Sequence, residues 1–134
     1  MLRKRNTGEF ILGEMLARAA FPEFRHQHEI NIGPPYYRTT PDLYYEDRAE
    51  ERYIAVYLDG LSNNIHGNAQ RSQVDRIIRE QLEAEGVDVI EIASSDLHDP
   101  ELMRTHFKRI AAKLRRRDIR ERLKSDISWF SGGE

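Results

Sequence analysis

Asp42-Leu-Tyr-Tyr-Glu-Asp-Arg-Ala-Glu-Glu-Arg-Tyr-Ile-Ala-Val-Tyr-Leu-Asp59-Gly60 is the stretch that decides the fold. Its two ends, Asp42 to Glu46 and Tyr53 to Asp59, are rich in aromatic and β-branched residues, which suit a pleated, half-buried surface. The charged residues Asp47 to Arg52 between them suit a hairpin turn, so the two strands are expected to pair antiparallel. A turn centred on Ala49 to Arg52 sets Asp42 opposite Asp59 and Tyr44 opposite Tyr57 on one face. Leu43, Tyr45, Ile54, Val56 and Leu58 then form the core on the other.

Outward from this hairpin the apolar spacing changes period. Upstream, Phe10, Leu12, Met15, Leu16 and Ala19 recur at helical spacing, predicting a helix over about residues 7–20 that ends before Pro22. Phe24 to Ile32 alternates loosely and predicts a strand, closed by Gly33-Pro34-Pro35. Downstream, Gly60 to Asn68 is loop-like. Val74, Ile77, Ile78 and Leu82 predict a helix over about residues 69–85, stopped by Gly86. Val87 to Ile92 is a short apolar strand. Asp99-Pro100 is a cap and first-turn proline that opens a last helix with Met103, Phe107, Ile110 and Leu114 on its core side. The order is α-β-β-β-α-β-α, an α/β fold in which a helical crossover makes the strands ending at Asp59 and Ile92 parallel neighbours.

The length of 134 residues suits one domain, with a core over about residues 7–115 and a basic C-terminal extension over residues 116–134. Hydrophobic residues make up 39% and charged residues 33% of the chain, the composition of a globular protein with a solvated surface. No apolar run reaches the roughly 18 residues of a membrane span, and the basic start Met1 to Arg5 lacks the apolar segment of a secretory signal, so the expectation is a cytoplasmic protein without membrane contact. Cysteine is absent, so disulfides and thiolate metal sites are excluded and any metal must be held by oxygen or imidazole. The net charge of −2 hides a strong bias: nine Lys and Arg fall within residues 108–124, against Asp118 and Glu121. Such a cluster can track a phosphate backbone or simply solvate a helix face.

The chemistry rests on the two aspartates. Directly opposed carboxylates on one strand face repel each other unless a cation lies between them, and a hard divalent ion such as Mg2+ or Mn2+ turns that repulsion into binding. A site of this kind suits phosphodiester hydrolysis, with His66 in the following loop available to deprotonate water. Taken singly, each aspartate is an ordinary turn residue, Asp42 after Pro41 and Asp59 before Gly60. Their mirrored placement is what favours the site. His26, His28, His98 and His106 have no zinc-like spacing. Tyr36 and Tyr37 beside Arg38 can stack on bases or fill a loop.

The run Thr40-Pro41-Asp42-Leu43-Tyr44, Ile54 to Gly60, His66, Asp75-Arg76 and Val87 to Ile92 resembles the very-short-patch-repair endonucleases and related small domains of the PD-(D/E)xK, restriction-endonuclease-like superfamily. The resemblance implies a restriction-endonuclease-like α-β-β-β-α-β core, with a mixed sheet flanked by helices and an extra C-terminal helix. It implies a Mg2+- or Mn2+-dependent DNA endonuclease of a repair or defence system. Asp42 and Asp59 take the places of its metal ligands, the Leu58 backbone carbonyl is a further ligand, Glu14 is a lesser candidate, and His66 acts near the attacking water. DNA contacts are expected from Arg71, Arg115, Arg116 and Arg117. The partners implied are DNA and a helicase or other protein of a larger system, and the fold is compatible with a homodimer. The chain departs from the pattern at three points, one being that His66 lies one or two positions later than the family spacing. Leu61 stands where the superfamily has its lysine, for which Gln70 and Arg71 are the available replacements, and Tyr57 stands where the small domains often carry glutamate. A catalytically inactive nuclease-fold module that binds nucleic acid or a protein is therefore the rival expectation.

Overall fold

The computed structural model describes residues 7–61 and 68–130, and by their contacts these fall into two compact units. The first holds residues 24–92. Its centre is a mixed four-stranded sheet in the order β1-β4-β5-β6, with β1 Arg25–His26, β4 Leu43–Asp47, β5 Arg52–Leu58 and β6 Asp88–Ile92. The chain is thus α/β. β1 and β5 flank β4 antiparallel, and β6 runs parallel to β5 after the crossover helix α2, Asn68–Ala84. Gly86 at φ +82 ends the crossover in the left-handed region that glycine adopts without strain.

The expected strand over Phe24 to Ile32 is divided. Gln27 adopts φ +53, which breaks extended backbone, so β1 joins the main sheet and the chain leaves it to form a separate hairpin of β2, Ile30–Gly33, and β3, Tyr37–Thr39. Tyr37, expected in a loop, opens β3 at φ +65. Gln81 of α2 ties this hairpin down, its amide donating to the carbonyls of Ile32 at 3.0 Å and Pro34 at 2.6 Å.

The β4–β5 hairpin forms as expected, but its register does not. Leu43 faces Val56, Tyr44 faces Ala55 and Asp47 faces Arg52, a slip of two residues from the expected pairing. The turn explains it. The Asp47 carboxylate accepts from the Glu50 amide at 3.2 Å and Glu51 sits at φ +53, so the loop runs from Arg48 to Glu51. Slipping by two preserves which side chains share a face, because the strand period is two. The face that was to carry the metal site is nevertheless core: Tyr44, Ala55 and Tyr57 are buried against Val74, Ile78 and Leu82 of α2, with Ile32 and Leu61. Leu43, Ile54, Val56, Leu58, Ile90 and Ile92 are buried on the other face. A central strand buried on both sides reads as a near-continuous apolar run, as Tyr53 to Leu58 does.

The second unit joins residues 7–23 to 93–130. It contains α1 Thr7–Arg18, a 3-10 turn at Ser94–His98, α3 Pro100–Lys113 and α4 Arg117–Ser125. Asp99 caps α3, accepting from the Glu101 and Leu102 amides at 2.9 and 3.1 Å ahead of Pro100. Phe107 lies at the centre of this core, 5.5 Å from Phe21 and 4.8 Å from Trp129 between ring centroids. The basic tract does not continue α3. It stops at a Schellman-type turn in which the Arg116 amide reaches Ala111 O at 3.0 Å and the Arg115 amide reaches Ala112 O at 3.1 Å. Arg115 takes the left-handed position at φ +56, which disfavours a non-glycine residue by about 1 kcal/mol. Among the described residues no helix is long and apolar enough to cross a membrane.

Candidate acidic site at the end of the central strands

β5 ends in a sharp turn because Asp59 and Gly60 take positive φ in succession, +64 and +100. Aspartate tolerates the left-handed region better than most residues, and glycine tolerates it without strain. The turn leaves Asp59 exposed just beyond the buried strand, with its amide still donating to Ile92 O at 2.9 Å. Asp42 reaches the same end from the start of β4. Its carboxylate is buried and accepts the Leu58 amide at 2.8 Å. A charge-assisted bond of this kind contributes about 1.5–3 kcal/mol. The structure thus brings Asp42 to the backbone next to Asp59, but with the slipped register Asp42 stands one step beyond the Leu43–Val56 pair, level with Tyr57 rather than Asp59.

Tyr57 is a neighbour that changes the character of the site. Its hydroxyl lies 2.6 Å from Thr39 Oγ1 in a buried pair. Burial drives the phenol well above its ordinary range, the Thr39 hydrogen bond offsets part of that, and the negative charge of Asp42 adds to the rise. The phenol therefore stays protonated and cannot stand in for the glutamate often found at this position. Leu61 likewise belongs to the core.

Two further acidic residues, Asp75 and Glu91, close the other side. A β-carbon on Gly60 would lie 3.2 Å from Asp75 Oδ2 and 4.0 Å from Glu91 Oε1, so carboxylates from α2 and β6 flank the Asp59–Gly60 turn. Asp75 Oδ1 is buried without a hydrogen-bond partner among the described residues, whereas Glu91 forms an ion pair with Arg79. Among the described residues no ion pair joins Asp75 to its sequence neighbour Arg76. Arg76 instead pairs with Glu80 at 3.2 Å. The signal was in the helix spacing, since Asp75 adjoins Val74 and lies one turn before Arg79 on the flank of the buried stripe. Glu91 could have been found from the parallel register, which sets it beside Tyr57.

The remaining expected residues are dispersed. His66 lies outside the described residues. Arg71 is half-buried on α2, and Glu14 is exposed on α1 in the other unit. Arg115, Arg116 and Arg117 occupy the α3–α4 turn in that unit rather than one helix face. Among the described residues no three acidic or imidazole side chains form a ready-made cation cage. The donor chemistry does fit a hard divalent cation: carboxylates and backbone carbonyls at a strand end, with the orphaned Asp75 oxygen as a donor that still requires a partner. Comparison with protein-family models, curated proteins and solved structures returned no match to this chain.

Proposed function

We propose that this chain is a PD-(D/E)xK-type, restriction-endonuclease-like domain that hydrolyses DNA phosphodiester bonds with Mg2+ or Mn2+ at the end of β4 and β5. The observation that carries the reading is the buried Asp42 carboxylate, fastened to the Leu58 amide beside the exposed Asp59 and the orphaned oxygen of Asp75. A buried carboxylate is unfavourable unless hydrogen-bonded or neutralised, and a group of them at a strand end is the arrangement that oxygen-seeking cations exploit. Asp42, Asp59 and the Leu58 carbonyl would hold the ion. When bound it supplies Lewis-acid polarisation of the phosphate and lowers the pKa of water. The protein's own part is positional. The Leu58 amide orients Asp42, and the Asp59–Gly60 turn projects Asp59 clear of the core. His66 is assigned proton transfer from the attacking water. Arg71 and the α3–α4 arginines bind the DNA backbone. A cytoplasmic repair or defence system, with a helicase or another protein as partner, fits this activity.

The second reading, an inactive nuclease-fold module, is favoured by the burial of two departures from the motif, Tyr57 and Leu61, in the core. Manganese-dependent cleavage of plasmid DNA separates the two. Cleavage by the wild-type chain, lost by at least a hundredfold in Asp42→Ala and in Asp59→Ala, supports the enzyme. Absence of cleavage in the wild type, or its survival in both variants, removes it.

A further inference from the structure

The α3–α4 turn encloses a cleft of about 230 Å³ lined by Ala111, Ala112, Arg115, Arg116, Arg117 and Arg120. Four guanidinium groups around two alanines make a concavity with small walls and a strongly positive rim. Water takes up about 30 Å³ per molecule in the liquid, so the cleft has room for several waters or for one tetrahedral oxyanion. The four arginines are not equivalent. Arg116 is already committed, since its guanidinium grips Asp118 bidentately at 2.9 Å through both Nε and Nη2. Arg115, Arg117 and Arg120 make no close side-chain hydrogen bond or ion pair with any described residue; Glu121 lies near enough to feel the charges of Arg117 and Arg120, but its carboxylate is bonded to Lys124 at 2.8 Å.

Two features make this more than a solvated basic face. Arg120 is half-buried, and its acidic neighbour Glu121 is already bonded to Lys124, so a partly desolvated cation here gains from a further anion. Arg115 holds a left-handed backbone position for which glycine is the usual residue, and backbone strain of this kind gathers where a side chain serves a ligand. Guanidinium forks match phosphate oxygens in geometry as well as charge. We propose that this cleft is a phosphate-binding site in which Arg115, Arg117 and Arg120 donate to one phosphate group of a DNA strand. The DNA clause rests on the function proposed above; the anion site does not.

The test uses the full chain. Titration with inorganic phosphate should shift the NMR signals of the Arg115, Arg117 and Arg120 guanidinium N–H groups, while sodium glutamate at equal ionic strength should leave them in place. Equal response to both anions overturns the phosphate site. Fluorescence anisotropy with a labelled oligonucleotide, single-stranded and duplex, then reads the source of the phosphate. Arg117→Gln/Arg120→Gln should bind at least tenfold more weakly at low salt, with the log–log salt slope reduced by up to about 0.7 for a single strand and about 0.9 for a duplex, the share of one phosphate. Arg76→Gln, altered in α2, should bind as wild type, and Arg117→Lys/Arg120→Lys should fall between, having charge without the fork. Circular dichroism checks that each variant is folded. Unchanged affinity and slope in the double glutamine variant overturn the DNA clause even where inorganic phosphate binds. Loss of the slope effect with manganese cleavage intact counts against the cleft alone, and a retained slope effect without cleavage counts against the nuclease reading alone.

Discussion

The acidic end of the sheet and the basic turn between α3 and α4 use charge in opposite ways. At the sheet end two of the charges are engaged within the fold, Asp42 by the Leu58 amide and Glu91 by Arg79, while Asp75 flanks the Gly60 turn. At the basic turn, among the described residues, Arg116 alone makes such a bond, and its neighbours line a cleft. Substitutions at the first region must therefore alter stability and chemistry together. Those at the second should alter binding with little loss of stability, or even a gain.

The largest effect is expected at Asp42. Asp42→Ala leaves the Leu58 amide buried without an acceptor and removes a charge-assisted bond, together destabilising by about 2–4 kcal/mol. Asp42→Asn preserves shape and can still accept from the amide through its carbonyl, so it should recover more than half of that loss in chemical denaturation. If Asn and Ala unfold at the same denaturant concentration, the carboxylate does not fasten β5 and the contrast between the two regions weakens. Cleavage should be lost in both variants, because neither supplies an anionic oxygen. That divergence, stability rescued and activity not, separates the structural from the chemical role of one side chain.

The second effect has the opposite sign. Arg115→Gly places at φ +56 the residue that occupies it without strain, so the chain should gain about 1 kcal/mol and melt a few degrees higher. Some of that gain is offset by the greater freedom of glycine in the unfolded chain. Oligonucleotide affinity should fall in the same variant. A rise in Tm without loss of affinity would leave Arg115 as an accident of the turn. A fall in Tm would show that its side chain stabilises the helical hairpin itself.

These two regions also mark where the sequence could be read and where it could not. The strands from Leu43 to Leu58 are written in alternation and aromatic content, and the parallel placement of β6 follows from one crossover helix stopped at Gly86. The register was not legible, because Arg48-Ala-Glu-Glu51 holds no Gly, Asn or Pro, and the Asp47 side-chain bond chooses the turn centre. Asp42 was legible as an acidic residue of the hairpin face, but neither its burial nor the backbone amide that engages it was. The break after Lys113 was hidden for a related reason. A helix stop is recognised by glycine or proline, and here an arginine carries the left-handed residue, so the basic tract reads as one continuous face. Side-chain and backbone choices that go against propensity are invisible to pattern reasoning, and both candidate sites contain one.

The smallest effect tests whether Arg116 is engaged as the geometry indicates. The bidentate hydrogen bond from Arg116 holds the Asp118 carboxyl at about 2, below its ordinary value of 3.8, with the backbone amides of Ile119 and Asp118 helping. Because the folded-state value is depressed, the contribution is complete above about 3.8 and is lost as pH falls through that value towards 2. Asp118 is fully exposed, so the expected signature is a titration rather than a measurable change in unfolding. Carbon-detected NMR should find its midpoint near the lower limit in the wild type and close to the ordinary value in Arg116→Gln. If the midpoint stays low in that variant, the helix amides hold Asp118 unaided. Arg116 would then be released to the cleft as a fourth phosphate ligand, and the salt slope would have to be reassigned among four arginines instead of three.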